Sequence, residues 1–123
     1  MKRVLSFLLV LVLTLGLLAG CKKKIDVPAS AILVMETVWG KYTQDEKFPA
    51  AGGAGDNMNW EGPAAVDMAA NGADLSYIVY VPEAEIANLT DAATMQHAMN
   101  ANTFTAGVLR VKEGTDAKPL PPL

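Results

Sequence analysis

Met95, His97 and Met99 are the residues of this 123-residue chain whose types and spacing come closest to coordination chemistry. Thioether and imidazole are soft donors of the kind that select Cu(I), so Met95-x-His97-x-Met99 suggests a soft-metal, copper-handling chaperone. The three donors converge only on a strand, where alternate residues share a face. On a helix Met95 and Met99 align, while His97 points about 200° away from Met95. Thr90 to Met99 reads as a helix, opened by Thr90 or Asp91 and continued by an alanine-rich run. On that helix the two methionines join Ala92 in the core and His97 faces solvent.

The remaining candidates for chemistry are weaker. His97 is the one histidine and Cys21 the one cysteine, and no Gly-x-Ser-x-Gly occurs, so a nucleophilic triad has too few parts. Asp45/Glu46 and Glu83/Glu85 are acid pairs in polar segments. Carboxylates do general acid–base work only when burial or proximity separates their pKa values, and solvated surface is the expectation here. Gly52-Gly53-Ala54-Gly55 lacks the lysine of a phosphate loop and runs into Asp56, which repels phosphate. No catalytic residue is expected. Trp39, Trp60, Tyr77 and Tyr80 could form a platform for sugars or peptides, but a small domain needs aromatics for its core. Trp39 has a place on a helix, which leaves Trp60 as the candidate ligand contact.

Cys21 has a different chemistry. Met1-Lys2-Arg3 is a basic start, and Val4 to Gly20 is apolar apart from Ser6, Thr14 and the glycines. A basic start, an apolar stretch and small residues before a cut site mark an export signal. As a helix the run spans roughly 25 Å, short of the ~30 Å hydrocarbon core of a membrane. Leu18-Ala19-Gly20-Cys21 resembles the lipobox of bacterial lipoproteins. That resemblance implies signal peptidase recognition through Leu18, Ala19 and Gly20, cleavage before Cys21, and diacylglycerol and further acyl lipid, such as palmitate, on the Cys21 sulfur. A thiolate is a strong nucleophile, and two or three acyl chains give a stable anchor where one does not. Lipidation also accounts for a lone cysteine in an exported chain.

Removing residues 1–20 leaves eight basic against thirteen acidic residues, a formal charge of −5. Lys22, Lys23 and Lys24 sit beside the lipid, where each basic charge gains about 1 kcal/mol from anionic headgroups. From Ile25 onward five basic residues face thirteen acidic ones, or −8. Such a surface repels nucleic acid.

The positioning elements are read from pattern. Residues 21–30 form a lipidated tether, with Ser30 placed to cap a helix beginning at Ala31. Ile32, Met35, Trp39 and Tyr42 fall on one face of a helix over Ala31–Tyr42, Val38 widens the stripe, and Gly40 marks a fraying end. Asp45 to Gly62, rich in glycine, alanine and proline, reads as an open connection whose Phe48, Met58 and Trp60 dock on the core. Leu75 to Val81 is β-branched and aromatic, hence a strand. Pro82 to Ile86 opens a helix. Thr103 to Val111 alternates as a strand, Lys112 to Asp116 is a turn, and Pro119 to Leu123 ends the chain in a proline-rich tail over 113–123.

Met35-Glu-Thr-Val-Trp-Gly-Lys-Tyr, Asp45-Glu-Lys-Phe-Pro-Ala-Ala-Gly-Gly and Met99-Asn-Ala-Asn-Thr-Phe-Thr-Ala-Gly resemble stretches of uncharacterised small lipoproteins of Gram-positive anaerobic bacteria. The likeness runs from about Ile32 to Lys112. It implies a long amphipathic helix after the last strand, which the proline-rich tail replaces here. A truncated or frame-shifted product, or a core completed by a partner, are the two expectations from that departure. The resemblance fits a helix at Leu75–Val81 about as well as a strand.

Together these features predict a small α+β domain over 31–112, behind a signal peptide. A non-enzymatic binding or accessory module is expected, lipid-anchored on the extracytoplasmic face of the cell membrane with an envelope protein as the partner class. A truncated family member without its own function and the copper chaperone are the alternatives.

Overall fold

Every other part of the sheet is laid against one strand, β3, Leu89–His97. This computed structural model describes residues 27–99 and 103–115. Residues 1–26, which carry the apolar run, the lipobox-like Leu18-Ala19-Gly20-Cys21 and the three lysines, lie outside the described residues, as does the tail from 116. The architecture is a small α+β domain with an antiparallel sheet.

β4, Thr105–Val111, pairs with one edge of β3, Gln96 opposite Thr105 and Ala92 opposite Leu109. Two dipeptides share the other edge. β1, Ala50–Ala51, pairs opposite His97 and Gln96, and β2, Ala64–Ala65, opposite Thr94 and Ala93. Both run antiparallel to β3. They therefore lie end to end, and the chain must cross from one to the other beside Thr94.

The segment expected to be a helix from Thr90 to Met99 is this central strand. Alanine favours helix locally, but tertiary pairing overrides a weak propensity. Both edges of β3 are bonded, and Ala92, Ala93, Thr94 and Met95 are all buried. Small side chains are what a strand covered on both faces needs here. Asp91 does not open its own helix. Its Oδ2 accepts from the Ala31 N–H at 2.6 Å and so holds the start of α1.

α1, Ala31–Trp39, covers one face of the sheet. Ser30 caps it as expected, its Oγ accepting from the Leu33 N–H at 3.3 Å. The helix ends at Gly40, so Tyr42 lies beyond it, and Val38 is half exposed instead of widening the stripe. Met35 and Ala31 pack with Ala93, Met95 and Ala50, flanked by Trp39, Phe48, Phe104 and Val108. Fully burying a methionine contributes about 1.5–3 kcal/mol.

Ala92 points the other way, into a second cluster with Leu75, Val81, Leu89, Ala54 and Val66. Here the expected strand at Leu75–Val81 is replaced by a one-turn helix, α2, Leu75–Ile78, entered through a 3-10 turn at Gly72–Asp74. Leu75 is fully buried and the chain reverses at Tyr80, whose φ is +57°. Instead of joining an edge, the segment packs on the face of the sheet, Leu75 and Val81 meeting Leu89 and Ala92. The helix expected after Pro82 forms as α3, Glu83–Ile86. Gly114 (φ +79°) makes the turn after β4, where the Thr115 N–H bonds the Lys112 C=O.

Candidate functional site

The glycine- and alanine-rich connection is the largest departure from expectation, and it positions the candidate contact residue. Residues 50–54 are buried rather than docked loosely, and Gly52 and Asn59 bond each other through both backbone pairs, at 2.8 and 2.9 Å. The Asn59 side chain then closes the turn. Its Nδ2 donates to the Pro63 C=O at 3.2 Å and its Oδ1 accepts from the Glu61 N–H at 3.1 Å. Gly62 lies so close to α1 that a Cβ there would stand 3.1 Å from Trp39 Nε1. Trp60 sits at the tip of this pinned turn and is 64% exposed. Its indole is displayed on ordered backbone, which lowers the ordering cost of any contact it makes.

Trp39 belongs to a different environment. Its ring lies 5.3 Å from Tyr42 and 5.2 Å from Phe48, with Lys47 Nζ 5.5 Å from its centroid. Tyr77 and Tyr80 are exposed but belong to the α2 side of the sheet, opposite the α1 side that holds Trp39. A shared platform of Trp39, Tyr77 and Tyr80 therefore does not form. The two indoles differ enough to separate spectroscopically. Trp60→Phe should leave the bluer emission of Trp39 and remove most acrylamide quenching; a strongly quenched red emission in that variant would place Trp39, not Trp60, in solvent.

The Met–x–His–x–Met segment changes character on a strand. Met95 and His97 share the α1 face, Met95 inside the core and His97 9% exposed. His97 is therefore not the exposed residue expected, and Met99, 72% exposed past the strand end, is not a core residue. Phe48 stacks on the imidazole at 5.4 Å with planes 7° apart, and Phe104 meets Phe48 edge-on at 4.8 Å. His97 Nδ1 accepts from the Met99 N–H at 3.2 Å, which occupies that nitrogen's lone pair and leaves the ring proton on Nε2. The strand brings Met95 and His97 to one face and turns Met99 away. Among the described residues no group of three or more His, Cys, Asp or Glu gathers as a metal site.

The acidic pairs serve local structure. Glu46 Oε2 accepts from the Thr43 N–H and hydroxyl, both at 2.9 Å. Those bonds, the backbone one first, hold its pKa below the ordinary carboxylate value. Glu85 Oε2 accepts from Asn88 Nδ2 at 2.8 Å. Gly52 and Gly53 turn their N–H groups inward, to Asn59 and to Thr94 Oγ1, and so present no phosphate cradle. No described helix is long and apolar enough to cross a membrane.

Two anchoring residues carried no sequence signal of their role. Asp91 holds the first N–H of α1, and Arg110 Nη1 donates to the Ala29 C=O at 2.6 Å. From the sequence Asp91 reads as a candidate opener of its own helix, and nothing in the pattern marks Arg110. Comparison with protein-family models, with curated proteins and with solved structures finds no match.

Proposed function

We propose that this chain is a lipid-anchored, extracytoplasmic module of the cell envelope, without enzymatic activity, that makes its contact through Trp60. The observation that carries the anchoring is Leu18-Ala19-Gly20-Cys21, placed directly after a basic start and an apolar run, with Cys21 the one cysteine of the chain. Lipid on Cys21 holds the protein to the membrane, and Lys22, Lys23 and Lys24 add attraction to anionic headgroups.

The geometry of the domain supports the second half of the proposal. Asp91 and Arg110 pin the start of α1, the end from which the tether departs. Gly62, two residues from Trp60, touches Trp39 at the other end of the same helix. Nine helical residues separate the two ends by roughly 13 Å. An anchored domain therefore keeps its displayed indole clear of its own tether.

Cys21→Ala should abolish incorporation of radiolabelled palmitate and release the protein from the membrane fraction. Continued labelling together with membrane partition would sink the anchoring proposal. Loss of labelling with unchanged partition would mean that the apolar run itself holds the chain.

A further inference from the structure

The free edge of the sheet has a composition and a geometry that fit another copy of itself. At one end of the β3–β4 ladder the His97 N–H bonds the Phe104 C=O, and at the other the Lys112 N–H bonds the Asn88 C=O. Antiparallel pairs alternate, so even-numbered residues of β4 turn their backbone groups towards β3. The N–H and C=O groups of Thr105, Gly107, Leu109 and Val111 then face outward, and no described residue bonds them.

Proteins usually blunt such an edge with proline, a bulge or charges. β4 has no proline, and the register shift lies between Leu89 and Asp91, on β3. The one charged residue of β4, Arg110, turns its guanidinium back to Ala29. Seven regular residues are left open for pairing.

We propose that a second copy of this chain pairs on this edge, β4 against β4 antiparallel and centred on Val108, to make a two-fold dimer. In that register Thr105 faces Val111 of the second copy, Ala106 faces Arg110, Gly107 faces Leu109, and Val108 faces Val108. The four outward residues of each strand meet one another and form about eight backbone hydrogen bonds. Charge favours this edge for self-association. The chain is acidic, yet β4 has no acidic residue, and Arg110 stands opposite an alanine instead of its own copy. The two-fold axis is normal to the sheet, so both α1 helices stay on one side and both tethers leave from it. The pairing also closes, because a two-fold contact uses the β4 edge of both copies at once.

The test is disulfide trapping of the full chain carrying Cys21→Ala, in whichever cell fraction it occupies, so that the introduced cysteines are the only thiols and the outcome is independent of the lipid anchor. Val108 would face its own copy at a non-hydrogen-bonded position, where Cα atoms stand about 4.5 Å apart and a disulfide fits. Val108→Cys should give a reducible dimer under a mild oxidant. Thr105→Cys alone should not, since the two sulfurs would be roughly 20 Å apart. Thr105→Cys combined with Val111→Cys should restore the dimer without altering a core side chain. Adding Thr105→Pro to Val108→Cys removes an outward N–H, leaves the β3 ladder intact, and should cut trapping at least several-fold. Absence of dimer in both Val108→Cys and the double variant would overturn the proposal. So would equal trapping by Thr105→Cys alone, or a ladder of larger species.

Discussion

Gly52→Ala should cost the domain about 3 kcal/mol, a large share of the stability of a domain this small. Gly52 is where β1 gives way and β2 passes alongside. A Cβ there would run into the backbone N of Ala64 and the backbone O of Thr94, and stand 2.7 Å from the carbonyl carbon of Pro63. All three are main chain, so no rotamer change relieves the clash. The substitution must push β1 or β2 off β3, and each is only two residues long. A urea melt of the chain from Ile25 to Leu123, followed by circular dichroism, measures the effect as a lowered midpoint. An unchanged midpoint would show that the crossing beside Thr94 has room for a methyl group.

The second large effect belongs to Thr94. Its side chain is 1% exposed, and its Oγ1 accepts from the Gly53 N–H at 2.9 Å while donating to the Gly53 C=O at 3.0 Å. One hydroxyl therefore satisfies both backbone groups of a residue whose φ is +84° and whose backbone cannot join a ladder there. Thr94→Val keeps the shape and removes both bonds. Each stranded buried group costs about 1–3 kcal/mol, so a loss of roughly 2–6 kcal/mol is expected for the two. Thr94→Ser keeps the hydroxyl and should lose only about 1 kcal/mol, the value of a buried methyl. Equal losses in the two variants would assign the effect to packing instead.

These two residues also explain how much was legible beforehand. The α1 face through Ile32, Met35 and Trp39, its Ser30 cap, and the alternation of Phe104, Ala106 and Val108 are local patterns, and local patterns were enough to find them. The α+β class came from them. The central strand was not legible. Ala92-Ala93-Thr94 is a helical phrase by propensity, and its burial as a strand depends on partners about thirty to forty residues earlier in the chain. Residues 50–54 were hidden for the same reason, since small residues that pack closely and small residues that flex look alike in a sequence. At the candidate site, Trp60 stood out by type. The turn that pins it did not, because Asn59 and Gly62 act through contacts with Pro63 and Trp39.

Dependence on one late strand also governs when this protein can begin to fold. Synthesis presents the N-terminus first, and so would the export proposed above. Residues 31–66 emerge with Met35, Ala50, Ala51 and Ala54 bound for the interior, yet the strand that shelters them begins only at Leu89. Until then these segments have nothing to pair with. The β3–β4 hairpin is the most local part of the sheet and is the natural place to start, because loop closure is least costly there. β1 and β2 can then settle onto an edge that already exists. A chain built in this order stays unfolded until its second half is made, the state that the proposed export through a narrow channel would require.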